Sequence, residues 1–491
     1  MTRALLGAAA LGAATLATRL PFLSQHLWAW DSVLYARALE QGFHVDYALQ
    51  TQRPHPPGYF FYVETASLAR RVVGDSNLAL VLISAVASAL AVAALYLLAR
   101  RFAGERIALL CAIGFACAPL VWQYSEIAYP YTVLAFFSIA IATAFWEARR
   151  RGAIATIAAS LFFGLVAGFR QDLLLILAPL WLWTLVPLGR RWQVVAFFAI
   201  GLGTLAWLAP TAALSGGLER YLVSVLRQAD YVRDTYSVQD EGLAALVTNL
   251  GTTVYALAWG LGPFVVPILA AALPAARSLR SGAEMFGTRE RFLALWAGPA
   301  IAFYVLVHIG EWGYVLSVVP ALYVVAARSS EVLLAASPRW AIRPARLAAP
   351  ALVVVGAALF LWSPAPFSSG ALARHDNEIG ARVDYVRSHF AATNTLILAR
   401  DDFLQVRYYL PEYRIWFHDP DPYHPAVHRR RANNVAAIVV FTPGLVADNA
   451  LGAQTLQCRR DVELVYLPVE SDSVVEFYGP VYTVHGRLGM E

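Results

Sequence analysis

The sequence contains no lysine: all 38 of its basic residues are arginine. That reads as a coding bias and carries no mechanism by itself. Charge of either sign is scarce. Only 14% of the 491 residues are charged, where a soluble chain carries about 25%. With 59% hydrophobic residues and a mean hydropathy of +0.54, a soluble globular protein is excluded and a polytopic membrane protein remains. Three cysteines are too few for a disulfide framework. Cys111 and Cys117 fall in one apolar run and Cys458 stands alone, as structural thiols do. The net charge of +5 is no nucleic-acid signal, because the arginines sit in short clusters between apolar runs. Two further absences bear on function. The middles of the apolar runs hold almost no ionisable groups, which a transporter or pump would place there, and no inverted internal repeat is visible.

What is present is a succession of apolar runs near the length a bilayer core requires. The first, Ala4 to Leu20, could be a signal peptide. So many spans follow it, with no clean small-residue cleavage site, that it reads as an uncleaved first span. Counting it, the spans number about eleven. The clusters Arg100/Arg101/Arg106, Arg149 to Arg151, Arg190/Arg191, Arg277/Arg280/Arg289/Arg291 and Arg328/Arg339/Arg343/Arg346 all fall in loops on one side. The positive-inside rule makes that side cytoplasmic. Residues 21–76 and everything after Trp362 are then external. The expected fold is an α-helical polytopic membrane protein with a small C-terminal external α/β domain. Residues 1–362 form the membrane domain, 363–370 a Ser/Pro/Gly linker, and 371–491 the external domain. In the latter, short β-rich runs (395–399, 414–417, 436–441, 463–467, 474–478) alternate with polar segments, and 401–410 reads as a helix with Asp at its start.

The polar residues collect on the external face. The loop from Gln25 to Tyr62 holds Asp31 beside Trp30, then Arg53 and His55 before Pro56-Pro57-Gly58. Ser32–Gln41 and Pro57–Val73 read as interfacial helices. Glu126 lies between the third and fourth spans, Arg170, Gln171 and Asp172 in a tight turn, and His308, Glu311 and Tyr314 around a short loop. The amphipathic segment 215–245 carries Tyr221, Arg227, Asp230, Tyr231 and Arg233. A carboxylate such as Asp31 can act as general base for an acceptor hydroxyl or amine, and arginines with a histidine can hold a phosphate leaving group. Each group also has a plain reading: Asp31 as a solvated or capping residue, Arg170 with Asp172 as a turn ion pair, His308 as an interfacial ring. His418, Asp419, Asp421 and His424 imitate a metal cluster, but Pro420 and Pro422 between them read first as turn formers. No metal ligand set is assigned and no cofactor is implied, although a divalent metal remains open.

In combination these residues resemble the GT-C glycosyltransferases, specifically the bacterial membrane proteins similar to protein O-mannosyltransferases and the aminoarabinose lipid A transferase. Over residues 1 to 362 the resemblance rests on Trp30-Asp31 soon after the first span and on His55-Pro56-Pro57-Gly58-Tyr59 opening an interfacial helix. Glu126-Ile127-Ala128-Tyr129-Pro130-Tyr131 and Gly313-Tyr314 leading to Pro320 add to it. It implies a polyprenyl-phosphate-linked sugar donor, an external active site and an inverting transfer. Asp31 would be the catalytic carboxylate with Glu126 as the second candidate. Arg53, His55 and Arg170 would bind the donor phosphate, and Trp30, Tyr59, Tyr129, His308 and Tyr314 would line the substrate pocket. The chain departs from the family at Ser32, where relatives often carry a second acidic residue, and at Glu311 and Trp312, where a basic residue is common. Independently, the cytoplasmic loops are at most about 20 residues long, judged from span lengths. They leave no room for a nucleotide-binding domain, so an activated sugar must arrive on a lipid. The acceptor is a protein, a lipid or a glycan, and the location a bacterial inner membrane with membrane lipids around it. Two other classes compete: a transporter or lipid flippase of the cell envelope, and a non-catalytic assembly or sensor protein.

Overall fold

The computed structural model describes residues 2–47, 53–270, 287–336, 339–417, 430–442, 453–478 and 481–485. It divides into two compact units, one of residues 1–24 with 34–372, the other of residues 25–33 with 373–491.

The first unit is helical. It holds α1 (Thr2–Arg19), most of α2 (Trp30–Gln41), α3 (Phe60–Val73), α4 (Ser76–Ala99), α5 (Glu105–Cys117) and α6 (Pro119–Tyr124). There follow α7 (Tyr131–Arg151), α8 (Ala153–Val166), α9 (Asp172–Leu185), α10 (Arg190–Leu214), α11 (Leu218–Tyr236) and α12 (Val238–Leu261). Then come α13 (Thr288–Leu306), α14 (Val319–Ala336) and α15 (Arg339–Trp362). Local chemistry sets the ends. Gly74, left-handed at φ 81°, returns its N–H to Arg70 O to close α3, and the Asp75 carboxylate caps α4 at Leu78 N–H, 2.7 Å away.

Among the described residues, five helices are long and apolar enough to cross a membrane: Arg3–Phe22, Ser76–Ala99, Tyr131–Arg151, Arg190–Leu214 and Val238–Ala270. Ala153–Val166, Asp172–Leu185 and Pro350–Trp362 are shorter apolar helices. The runs that read as uniform spans are thus uneven, for local reasons. Ala118 is extended before Pro119, as a residue preceding proline prefers, and this splits the apolar run 106–121, which reads in sequence as one span, into α5 and α6. The apolar run 246–272, which reads in sequence as one span, belongs to a helix that starts earlier, at Val238, with a kink at Gly242. The chain is a multi-pass membrane protein in build. Leu5 and Leu6 on α1, Phe197, Phe198, Leu202 and Leu205 on α10, and Val247 and Val254 on α12 are exposed, an apolar surface of the kind that a bilayer covers. Inside, α8 and α10 meet through small residues. A Cβ on Gly164 would lie 2.2 Å from Ile200 O and one on Gly203 2.4 Å from Leu161 O, so only glycine permits this approach.

The second unit is α/β. Its sheet runs in the order β2-β1-β3-β5-β4, with β6 on β5. The strands are β1 (Thr395–Ala399), β2 (Arg414–Phe417), β3 (Arg430–Val440), β4 (Gln454–Arg459), β5 (Val462–Tyr478) and β6 (Val481–His485). β1 is parallel to β2 and β3, and the other pairs are antiparallel. Leu396, Leu398, Ile438 and Val440 centre its core. Two helices accompany the sheet, α16 (Ser369–His389) and α17 (Phe403–Tyr409). The runs expected as two strands at 463–467 and 474–478 are one strand, β5, and Ser369 already opens α16 inside the expected linker.

Candidate active site

In the first unit the residues singled out by sequence converge on Arg170. It sits between α8 and α9, where both helices must end because its guanidinium needs partners that a continuous apolar helix would not offer. Its side chain is buried, with 2% of the residue exposed. Nε donates to Asp172 Oδ1 and Oδ2 at 3.3 and 3.2 Å. The guanidinium carbon lies 5.0 Å from the ring centre of Tyr59, 4.7 Å from Tyr131 and 4.6 Å from Tyr314. Among the described residues, Nη1 and Nη2 have no hydrogen-bond acceptor. Burial opposes the charge, but Asp172 and the three tyrosines outweigh it and hold Arg170 well above the ordinary arginine range. It is a permanent cation in an aromatic basin.

Each tyrosine is placed by its own local sequence. Tyr59 follows Gly58 at φ 101° and is itself left-handed at φ 50°. A Cβ on Gly58 would stand 2.3 Å from Val45 Cγ2, so the turn closes only with glycine there. The Phe61 N–H donates to Gly168 O at 2.8 Å, which ties the start of α3 to the segment just before Arg170. Tyr131 opens α7, and the chain around it is pinned by α4: Ser84 Oγ donates to Tyr129 O and Thr132 Oγ1 to Ser84 O, both at 2.8 Å. Tyr129 and Tyr131 stack at 5.2 Å. Tyr314 stands in a 3-10 turn, Trp312–Ser317, that lies against Tyr131 because residue 313 has no side chain: a Cβ there would be 2.2 Å from Tyr131 Cδ2.

Two histidines border the basin. The His55 ring lies 6.0 Å from Tyr59, and its Nδ1 is 2.7 Å from Pro56 O. His308, past the end of α13, meets Tyr236 at 4.7 Å and Tyr314 at 5.5 Å. Burial, with Arg170 nearby, pushes its imidazole down to about 4, so it is neutral at ordinary pH. Tyr221 of α11 donates from its hydroxyl to Pro57 O at 3.2 Å, which brings the amphipathic helix to the same turn.

The remaining expected site residues have other partners. Arg53 donates from Nη1 to Gly42 O at 2.9 Å. The Glu126 side chain is fully buried. Its Oε1 accepts from Trp122 Nε1 at 2.7 Å, and Arg19 is the cation it faces. Arg19 stacks on Trp122 at 4.3 Å and donates to Ala116 O. Burial raises the Glu126 carboxyl well above the usual range against the pull of Arg19. Asp31 stands in the first turn of α2, within the second unit, and beside it Trp30 donates from Nε1 to Asp401 O. Sequence reading missed Arg19, whose signal was a lone arginine at the end of the first apolar run. It also missed Tyr131 as a wall of the basin and Tyr304, whose ring lies 6.0 Å from Tyr314. Among the described residues no group of three or more His, Cys, Asp or Glu side chains could hold a metal ion. The cluster of His418, Asp419, Asp421 and His424 lies outside the described residues.

Comparison with known proteins agrees with this architecture. Residues 54–213 match the family described as dolichyl-phosphate-mannose-protein mannosyltransferase. Curated protein sequences give no match. The crystal structure of ArnT from Cupriavidus metallidurans bound to undecaprenyl phosphate is 13% identical, covering 94% of this chain and 98% of that one with a TM-score of 0.58. The apo form of the same protein is 14% identical, covering 94% and 96%, with a TM-score of 0.54. The archaeal oligosaccharyltransferase AglB from Archaeoglobus fulgidus, in complex with an inhibitory peptide and a dolichol-phosphate, is 15% identical over 84% of this chain and 64% of that one. Its TM-score is 0.46. At these identities the likeness to ArnT is one of fold.

Proposed function

We propose that this chain, whose residues 54–213 match the dolichyl-phosphate-mannose-protein mannosyltransferase family, is a membrane glycosyltransferase that takes its sugar from a polyprenyl phosphate. The transfer occurs at the external face of the membrane, with inversion. The observation that carries this reading is Arg170. A buried guanidinium that gives Nε to Asp172, and whose two Nη groups have no acceptor among the described residues, suits a phosphate oxygen pair. The tyrosine rings around it exclude water and present faces on which a sugar ring or an isoprenoid chain packs. That the ArnT structure of the same fold holds undecaprenyl phosphate agrees with a polyprenyl carrier.

In this reading Asp31 is the general base. It takes the proton of an acceptor hydroxyl or amine as that group attacks the anomeric carbon from the face opposite the phosphate, and the bond to the phosphate oxygen breaks. The leaving phosphate gains charge as it departs, and Arg170, helped by Arg53 and His55, stabilises that charge. Glu126 is the weaker candidate for base, since burial favours its neutral form and its partners are Trp122 and Arg19. Trp30, Tyr59, Tyr129, His308 and Tyr314 are assigned to the substrate pocket, and the neutral His308 can donate or accept but adds no charge. The five long apolar helices and the three shorter ones make eight candidates among the described residues, and the proposal keeps about eleven crossings by adding α5, α13 and α14. The acceptor remains a protein, a lipid or a glycan.

The test is Asp31→Asn, which keeps size and removes basicity. Transfer should fall at least about a hundredfold, the low end for acid–base catalysis, while undecaprenyl phosphate still binds. Undiminished transfer by the variant would remove Asp31 from the reaction and make Glu126 the next carboxylate to replace.

A further inference from the structure

The strand of chain that leads into Asp31 is held within the second unit, by its main chain and from several sides at once. The Gln25 and His26 N–H groups donate to the two oxygens of one carboxylate, Asp376, at 2.9 and 3.0 Å. The Leu27 N–H donates to the Tyr409 hydroxyl at 2.8 Å, and the Leu27 side chain is wholly buried. Trp28 O accepts from His375 Nε2 at 2.9 Å and from Gln405 Nε2 at 3.4 Å, while the Trp28 indole stacks on the His375 ring at 4.2 Å and 20°. The helix bond from Val33 N–H to Ala29 O, 3.2 Å, then begins α2. Three consecutive amides and the next carbonyl are therefore each taken by a side chain some 350 or more positions away.

We propose that Asp376, His375, Tyr409 and Gln405 are positioning residues for the transfer: by clamping the backbone of residues 25–28 they hold the first turn of α2, and with it the Asp31 carboxylate, where an acceptor proton can be reached. The proposal rests on the reading of Asp31 as base. Its physical basis is that a general base must stay within hydrogen-bond reach of the proton it removes. A displacement of about 1 Å costs on the order of a hundredfold in rate. The ten residues between Arg19 at the end of α1 and Trp30 at the start of α2 would not by themselves fix it. The clamp does, because each bond is made to the main chain and an uncompensated N–H left behind would be costly. His375 is suited to the task. Its Nδ1 has no hydrogen-bond partner among the described residues, so the ring serves as a dedicated Nε2–H donor.

The test uses full-length protein in its own envelope membranes. Turnover is read by mass spectrometry as consumption of glycosylated polyprenyl phosphate, and affinity as binding of undecaprenyl phosphate to the purified protein. Tyr409→Phe and Asp376→Asn should each lower turnover about tenfold or more, leave undecaprenyl phosphate affinity within about twofold, and speed hydrogen exchange at residues 25–28. His375→Ala should behave likewise and His375→Gln, which restores a donor at the Nε2 position, should recover most of the rate. In the Asp31→Asn background none of these changes should lower turnover further, because the clamp acts through a base already gone. Parental turnover in Tyr409→Phe with accelerated exchange at 25–28 would overturn the proposal, as would a further full-sized loss in the Asp31→Asn background. Should His375→Ala fail to fold, Tyr409→Phe, which removes one hydroxyl, decides. Failure of the underlying reading looks different: Asp31→Asn itself would then turn over normally.

Discussion

Arg170 makes one ion pair and faces three rings, and that division of labour sets what its replacement does. Asp172 is mostly buried and has Arg170 as its ion-pair partner. Removing the cation, as in Arg170→Met, leaves a buried carboxylate uncompensated, at a cost of about 3–5 kcal/mol. Arg170→Lys keeps the charge but loses the planar face that stacks on Tyr59, Tyr131 and Tyr314, contacts worth roughly 0.5–2 kcal/mol each. The lysine variant is therefore expected to fold and to bind undecaprenyl phosphate at least tenfold more weakly, measured by titration of the purified protein. Equal affinity would contradict the phosphate role. His375 yields a pH prediction. Burial pushes it down to about 4, with Asp376 opposing and His26 reinforcing the shift. Below about pH 6.5 the unfolded chain takes up a proton that the folded one refuses until about 4. The stability contributed by the neutral ring is thus full above 6.5 and drains away as pH falls from 6.5 to 4. Thermal unfolding of the full chain should show that decline, and His375→Gln should flatten it. The same slope in the variant would contradict the assignment.

At the scale of elements, two segments are built for close approach and for movement. The turn carrying Tyr314 rests on Tyr131 through Gly313, so Gly313→Ala forces ring and turn apart, an overpacking cost of about 1–3 kcal/mol. Loss of undecaprenyl phosphate affinity larger than the loss of thermal stability is expected, because the displaced ring is one of those on Arg170. Helix α11 hangs from Gly216 and Gly217, at φ 84° and 106°, and reaches the Pro57 turn through Tyr221. It is expected to act as a lid. Hydrogen exchange across 218–236 should slow when undecaprenyl phosphate binds, and exchange unchanged by the lipid would count against it. Much of this was legible in sequence. The apolar runs gave the long helices because hydrophobic length alone decides them, and Gly216-Gly217 before an amphipathic stretch marked α11. The break at Ala118 was less legible, since hydropathy does not register the backbone preference imposed by Pro119. The polar stretch Pro468 to Ser473 hid the continuity of β5, because an antiparallel ladder with irregular register tolerates it.

For the whole molecule, the candidate site was legible where a residue type was unusual for its surroundings. Arg170, Tyr59 and Tyr314 stood out as polar groups at the ends of apolar runs, and the structure gathers them. The pairing of Glu126 with Trp122 and Arg19 was not legible, because nothing in the spacing says which way a buried carboxylate turns. Nor was the holding of residues 25–28 by His375, Asp376 and Tyr409: bonds to main-chain atoms leave no pattern in the strap's own sequence. The arginine clusters lead to the expectation that residues 21–76 and those after Trp362 face outward. In a background lacking the three native cysteines, Tyr47→Cys and Asp461→Cys should both react with an impermeant reagent added to spheroplasts. Labelling of either only after lysis would place the site on the wrong face. The most direct measurement is mass spectrometry of lipid-linked sugars in envelope membranes of cells with and without this protein. A glycosylated polyprenyl phosphate is expected to accumulate in its absence, and on its return to fall as free polyprenyl phosphate and a glycosylated envelope component rise. Lipid-linked sugar pools and envelope glycans that stay the same in both cells would contradict a lipid-phosphate sugar transferase.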